Sequence, residues 1–233
     1  PTLLGRGNPV MNKTFGIVLY EQLANVGPNS FSSQNFETIL DAFDNQLADD
    51  FIVPAGDGTW TIESLEVLGI YFNGTGSANS VNIWFYNDSL GLPGSIAASR
   101  MDVVPTAGLA TGSFIVPLTL PVTLPSGTYW LSVQCNMDSA VGGQWGWTEQ
   151  LQNNQESVWQ NPGGGWATTC SSWSYRVTSC SVGVAPYNDL SFRLNGYSGD
   201  PCPVTVATNP SPSDLQVNVQ ISGINLGWTN GAA

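Results

Sequence analysis

The chain has to carry out any chemistry without histidine. Its 233 residues include no His and five Lys plus Arg, so neither a Ser-His-Asp nor a Cys-His catalytic arrangement can be built. Glycoside hydrolysis needs only two carboxyl groups and survives this exclusion. Its candidates are the Glu residues beyond position 40, which are Glu63, Glu66, Glu149 and Glu156. No spacing marks any two of them as a pair, so the sequence predicts that the protein is not an enzyme.

Aspartates form the densest group of charges. Asp41, Asp44, Asp49 and Asp50 lie within ten positions, and Asp57 follows in AGDGT. Hard oxygen ligands at irregular loop spacing suit Ca²⁺, so these five residues are predicted to hold a structural calcium ion. The alternative is an acidic turn whose Asp residues cap a helix or a loop.

The net charge of −12 limits the partners of the chain. So few cations cannot neutralise the phosphates of a nucleic acid, and an acidic protein is repelled by anionic membranes. No run of about 18 apolar residues is present, so no membrane insertion is expected. The net charge therefore favours cations as partners, while the low proportion of charged residues, 9% of the chain, suits binding to polysaccharides or to further copies of the same chain.

Aromatic residues suggest a second kind of site. Five of the nine tryptophans fall within 29 positions, interleaved with Gln, Asn and Gly. Exposed Trp rings stack on sugars while amide side chains bind hydroxyl groups, so this region is a candidate glycan-binding platform. The alternative is that the rings are core or interface anchors, where Trp is enriched. The five residues are Trp145, Trp147, Trp159, Trp166 and Trp173.

The four cysteines indicate an oxidising compartment. None belongs to a CxxC pair and no His is present, so two disulfides are a better interpretation than zinc. Cys170 and Cys180 bracket a short segment and are predicted to pair, which leaves Cys135 with Cys202, although four cysteines allow three connectivities. This predicts a secreted or cell-surface protein.

Glycosylation patterns occur along the chain. Asn12, Asn73 and Asn87 lie in N-x-S/T sequons, and Ser89 and Ser139 lie in short motifs resembling the O-glycosylation sites of some secreted bacterial proteins.

Short alternating segments predict the elements that position these residues. TWTIESLEVLGIYF alternates with a slip near Glu63–Ser64 that indicates a bulge, and GTYWLSVQC places Trp130 opposite its main apolar face. Phe114, Val116, Leu118 and Leu120 are predicted to share one face of a strand. A short helical turn is expected within SQNFETILDAFDNQLADD. Evenly spaced strands of this kind predict an all-β, jelly-roll-like β-sandwich over residues 1–202.

The C-terminal residues 203–233 have a different character. NPSPSD forms a hinge-like break, and the residues beyond it alternate between apolar and polar. About 30 residues are too few for a sandwich of their own, so this apolar face must be covered elsewhere. It either folds back on the same sandwich or, as a donor strand over residues 212–229, completes a neighbouring copy. The apolar residues are Leu215, Val217, Val219, Ile221, Ile224, Leu226 and Trp228.

Several segments together resemble a known type of module. DNQLADDFIVPAGDGTWTIESLEVLGIYFNG, VNIWFYNDSLGLPG, LPSGTYWLSVQ and GGQWGW are similar to a β-sandwich module of large secreted bacterial proteins that carry C-terminal sorting domains. ATNPSPSDLQVNVQISGINLGWTNGAA resembles the opening strands of a fibronectin type III-like domain. The resemblance implies an extracellular β-sandwich and says little about function.

These observations lead to two functional expectations. The first is an extracellular structural subunit that polymerises head-to-tail with itself by donating its C-terminal strand, because a contact that does not close generates a filament. The alternative is a carbohydrate-binding module of a larger secreted adhesin or enzyme.

Overall fold

Antiparallel strands account for most of the described chain. The computed structural model describes residues 16–199 and the backbone of 208–211 and 227–229. The strands are β1 (Ile17–Gln22), β2 (Val26–Ser32), β3 (Gln34–Asn35), β4 (Gln46–Val53), β5 (Thr59–Val67), β6 (Gly69–Phe72), β7 (Ser80–Asp88), β8 (Pro93–Val103), β9 (Phe114–Pro125), β10 (Gly127–Asn136), β11 (Gln144–Gln150), β12 (Val158–Gln160), β13 (Ser174–Tyr175), β14 (Asp189–Leu190), β15 (Phe192–Ser198), β16 (Thr208–Ser211) and β17 (Gly227–Thr229). The helical elements are one turn of α-helix, α1 (Ser139–Gly142), and two 3₁₀ helices (Thr38–Phe43 and Ala55–Asp57). The first 3₁₀ helix confirms the helical turn predicted there.

Three sheets build the sandwich. The largest has seven strands in the order β13-β12-β4-β10-β7-β8, with β3 added parallel to β10. One four-stranded sheet has the order β1-β15-β5-β9, and the other is β14-β11-β2 with β6 also paired to β11. Apolar side chains from all three sheets meet in one core. The predicted all-β sandwich is therefore confirmed.

Alternation in the sequence explains the strand faces. In β10, Leu131, Val133 and Cys135 are fully buried in the main core. In β5, the pairing with β9 and β15 skips Glu63, so the burial pattern moves by one position and the predicted bulge is confirmed. Because side chains alternate across a strand, this extra residue keeps Leu65 and Val67 facing the core.

The prediction that Leu120 shares the buried face of β9 is wrong. Phe114, Val116 and Leu118 lie in the core as expected, but Leu120 is 66% exposed. The register between β5 and β9 is irregular here, since Ile62 pairs with Val122 while Ser64 pairs with Pro117. The part of β9 between Pro117 and Val122 therefore turns away from the core, and Leu120 is exposed although the alternation of the strand would place it inside.

A smaller apolar cluster lies on the opposite face of the seven-stranded sheet. Trp130, Tyr86, Ala48 and Val158 are buried there. Trp173 packs against them, with its ring 5.7 Å from that of Tyr86 in an edge-on arrangement. The Trp130 ring nitrogen donates a hydrogen bond to Asp88 at 2.9 Å. Tyr86 and Trp130, which alternate with core residues along their strands, are therefore covered by a second layer that includes Trp173.

The chain divides into two compact units, Pro1–Ser198 and Gly199–Ala233, four positions before the boundary expected from the sequence. In the second unit, β16 pairs antiparallel with β17, with Thr208 opposite Thr229. Of the predicted donor residues, Trp228 lies in β17 and the others lie outside the described residues. In the part of the chain that is described, no helix is long and apolar enough to cross a membrane.

Candidate functional site

A groove with aromatic walls opens beside the edge strand β2. It has a volume of about 300 Å³, and none of its described lining residues is charged. We call it the aromatic groove. Its lining consists of rings, an aliphatic side chain and short polar groups, namely Ser30, Phe31, Ser32, Phe72, Gln144, Trp159, Trp166, Thr168 and Val182. Such a surface suits a neutral ligand with apolar parts.

Specific contacts hold the walls of this groove. The ring nitrogen of Trp166 donates to the backbone carbonyl of Phe43 at 2.7 Å, and the two rings meet edge-on at 5.7 Å. Phe31 lies under the guanidinium of Arg176, 4.5 Å from its ring centre. Trp159 belongs to β12 and is almost fully buried. The groove is therefore fixed by groups from distant parts of the chain.

Gly146 allows Ser30 and Phe72 to pack closely at the groove. A Cβ atom there would lie 2.9 Å from Cε1 of Phe72 and 3.0 Å from Cβ of Ser30. Both neighbours line the groove, so a side chain at this position would push them apart. Ser30 and Phe72 belong to the two strands, β2 and β6, that flank β11. Along residues 16–199, β2 is paired on one side alone, with β11, and no strand pairs with its other edge.

A second polar feature is a set of three buried carboxyl groups, Asp49, Asp50 and Asp189, of which Asp50 and Asp189 raise the pKa of Asp49 through their charges. All three side chains are at most 2% exposed. Asp49 accepts hydrogen bonds from Gln22 and from the backbone N–H of Leu190. Burial raises the pKa of Asp50 to about 6 and that of Asp189 to about 7, and it raises the pKa of Asp49 well above its usual range.

Two of the four carboxylates considered for catalysis are buried near one cation. Arg176 is fully buried and donates to Ser157 Oγ and to the backbone carbonyls of Val182 and Tyr187. Glu149 accepts from the backbone N–H and the amide of Asn29, and Glu156 accepts from the backbone N–H groups of Val177 and Thr178. Glu149 therefore ties β11 to β2, and Glu156 holds the turn that follows β13.

The other two catalytic candidates lie on β5. Glu63 is the half-buried bulge residue, and Glu66 forms a salt bridge with Arg193 at 2.8 Å. Neither lines the aromatic groove.

The five predicted calcium ligands are separated in the structure. Asp44 accepts from the backbone N–H of Phe36 and Asp57 accepts from the Trp60 ring, while Asp41 is exposed. Asp49 and Asp50 are consecutive in β4, so their side chains point to opposite faces of the sheet. Within the described residues, no three His, Cys, Asp or Glu side chains are arranged to hold a metal ion. The calcium prediction thus finds no geometric support in this part of the chain, and neither 3₁₀ helix has a side-chain cap from these Asp residues.

The five tryptophans named as glycan candidates have three different positions. Trp145 and Trp147 are fully buried and donate to the backbone carbonyls of Gly112 and Ser191. They lack the exposed faces that sugar stacking needs, so these two assignments are corrected to core residues. Trp159 and Trp166 line the aromatic groove. Trp173 is half-buried on the outer face of the seven-stranded sheet.

This outer face combines rings with amides. Trp84 is half-buried and joins the same cluster as Trp173. Close by on the sheet, the amide of Gln160 donates to Oε1 of Gln46 at 2.8 Å. Half-buried rings next to amide groups can contact a sugar ring and its hydroxyls.

The disulfide Cys170–Cys180 forms as predicted, with 5.8 Å between the Cα atoms. Cys135 is a buried free thiol, so the structure does not show its predicted pairing with Cys202, which lies outside the described residues. A disulfide is compatible with an extracellular protein.

The predicted glycosylation residues are mainly in turns and at strand ends. Asn73, Asn87 and Ser89 are exposed, whereas the hydroxyl of Ser139 donates to Glu37 at 3.0 Å. Asn12 lies outside the described residues.

Sequence reasoning missed both the aromatic groove and Asp189. Phe31 belongs to a short strand without a clear repeat, Phe72 only ends the alternating run TWTIESLEVLGIYF, and Asp189 is 139 positions from Asp50 in sequence. Comparison with protein-family models, with curated proteins and with solved structures finds no match for this chain.

Proposed function

We propose that the protein is an extracellular structural subunit that polymerises by strand addition between copies. The observation that carries the proposal is that, within residues 16–199, the edge strands β1 and β2 have a strand partner on one side alone and contain a single charged residue, Glu21, which is paired with Arg193. Edge strand β1 exposes 60% of Ile17 and 53% of Val18, and the open edge of β2 borders the uncharged aromatic groove. Soluble proteins usually protect such edges with Lys, Pro or a covering loop, because an open edge can pair with another chain. β2 contains one such residue, Pro28, so its Ser30–Ser32 end is the part that can pair.

The C-terminal segment supplies a suitable donor. Leu215, Val217, Val219 and Ile221 alternate with Gln and Asn, and no charged residue occurs between Leu215 and Trp228. Strand addition combines backbone hydrogen bonds with pockets for alternate side chains. A head-to-tail contact of this kind extends into a filament. The disulfide and the scarcity of charged residues fit an extracellular location.

Removing the donor provides the first test. Deleting residues 209–233 leaves the sandwich unit with its own core, so we expect folded monomers that form no filaments. Electron microscopy and analytical ultracentrifugation would measure this. Filaments from the shortened chain would contradict the proposal.

A matched pair of substitutions in the full chain refines the test. Val219→Asp places a charge on the apolar side of the alternating segment, while Asn218→Asp places the same charge on its polar side. We expect the first change to abolish assembly and the second to leave it largely intact. Equal effects of the two substitutions would argue against an inserted strand.

The outer face of the seven-stranded sheet supports a second candidate, carbohydrate binding. Trp84 and Trp173 are half-buried there, beside Gln46 and Gln160. We expect Trp84→Ala to weaken retention in polysaccharide-containing gels, with the exposed Ile39→Ala as the control. If the wild-type protein migrates equally in gels with and without a broad set of polysaccharides, this candidate is wrong.

A further inference from the structure

The aromatic groove and the C-terminal segment share an uncommon property in this chain. The protein carries a net charge of −12, yet the described lining of the groove and the whole of Leu215–Trp228 are free of charged residues. Two copies of an acidic protein repel each other, so a contact between them is favoured where both surfaces are neutral.

The chemical groups of the two surfaces also match. Phe31, Phe72 and Trp166 give the groove its apolar walls, and Ser30 and Gln144 add polar groups. The segment alternates Leu, Val and Ile with Gln and Asn, so its apolar side can enter the groove while its amides stay at the polar rim. The open edge of β2 at Ser30–Ser32 offers backbone groups alongside.

From this match we infer that the aromatic groove is the acceptor site for residues 215–221 of a second copy of the chain. The inference rests on the proposed function and adds the place where the donor binds. Edge strand β1, which exposes Ile17 and Val18, is the competing acceptor.

Cross-linking between two variants tests the location directly. One full-length variant carries Thr168→Cys at the groove and the other carries Val219→Cys in the segment. After mixing and treatment with a short bis-maleimide, we expect at least about tenfold more covalent dimer than either variant gives alone. The single variants control for the native cysteines, of which Cys135 is buried.

Assembly assays on single variants give an independent readout. Phe72→Glu and Thr168→Glu introduce a charge into the groove, and Val18→Glu introduces one at the β1 edge. We expect each groove variant to raise the critical concentration for assembly at least about tenfold and Val18→Glu to leave it within about twofold. Circular dichroism identifies any variant that fails to fold, and Thr168→Glu replaces Phe72→Glu in that case.

The outcomes separate this inference from the proposed function. If Val18→Glu blocks assembly while the groove variants assemble and no mixed dimer forms, the protein polymerises but the groove is not the acceptor. If a double variant with Thr168→Cys and Val219→Cys cross-links within a single monomer, the segment covers its own groove, and the inference is overturned. If the unmodified full chain forms no filaments under any condition tested, the proposed function itself fails.

Discussion

Replacing Asp50 with Asn should change how the stability of the protein depends on pH. Asp50 is 2% exposed and accepts hydrogen bonds from the backbone N–H of Gln155 at 3.0 Å and, more weakly, from its amide at 3.4 Å. Asn keeps the oxygen that accepts the stronger bond and cannot ionise. The substitution therefore removes the buried charge with little change in packing.

The sign of the effect follows from the direction of the pKa change. Burial raises the pKa of Asp50 from 3.8 to about 6, so the folded protein binds more protons than the unfolded chain between these pH values. The contribution of Asp50 to the free energy of unfolding is therefore largest below pH 4, and it is lost as the pH rises through 6. A pKa difference of about 2 corresponds to about 3 kcal/mol.

Urea unfolding followed by tryptophan fluorescence at several pH values between 4 and 8 measures this difference. We expect Asp50→Asn to match the wild-type protein near pH 4 and to exceed its stability by up to about 3 kcal/mol near pH 8. The charge of Asp50 also raises the pKa of Asp49 and of Asp189, so the substitution eases the ionisation of these two groups as well, and this adds to the stability of the variant at high pH. Asp41→Asn, at an exposed position, is the control. A constant difference between wild type and Asp50→Asn across this range would refute the reasoning.

Three further substitutions test the packing. Replacing Cys170 and Cys180 with Ser opens a short loop and should cost about 3 kcal/mol, measured as a lower midpoint in urea. Arg176→Lys should cost about 2–3 kcal/mol, because an ammonium cannot reproduce the three bonds of the buried guanidinium, and thermal unfolding checks it. Trp147→Phe should cost about 1–3 kcal/mol because the buried carbonyl of Ser191 loses its 2.8 Å bond, whereas a change below about 0.5 kcal/mol would show that water replaces the ring nitrogen.

Local patterns were enough to predict some of the strands, among them β5 and β10, and one disulfide. The alternation in β10 and the slip at Glu63 are properties of a few neighbouring residues, and a bulge preserves the apolar face that they indicate. Cys170 and Cys180 are ten positions apart, so a loop could be expected to join them. These features need no knowledge of distant parts of the chain.

The sites depend on contacts that span the sequence, which is why sequence reasoning assigned them poorly. Asp49 looks like a calcium ligand beside three other Asp residues, yet its partners Gln22 and Leu190 lie 27 and 141 positions away. Trp145 and Trp147 look like a sugar platform among polar neighbours. Their period of two around Gly146 was the available signal that both rings share a buried face.

The arginines of the described chain are committed to internal contacts. Arg100 donates to the backbone carbonyls of Leu120 and Pro121, Arg176 bonds within the core, and Arg193 pairs with two Glu side chains. None of these three guanidinium groups is therefore free to attract an acidic partner. The chain as a whole is strongly acidic, so two copies repel each other. They can associate only at surfaces where contacts between apolar and amide groups outweigh this repulsion. The aromatic groove is a surface of that kind, and this physical argument links the composition of the chain to its proposed assembly.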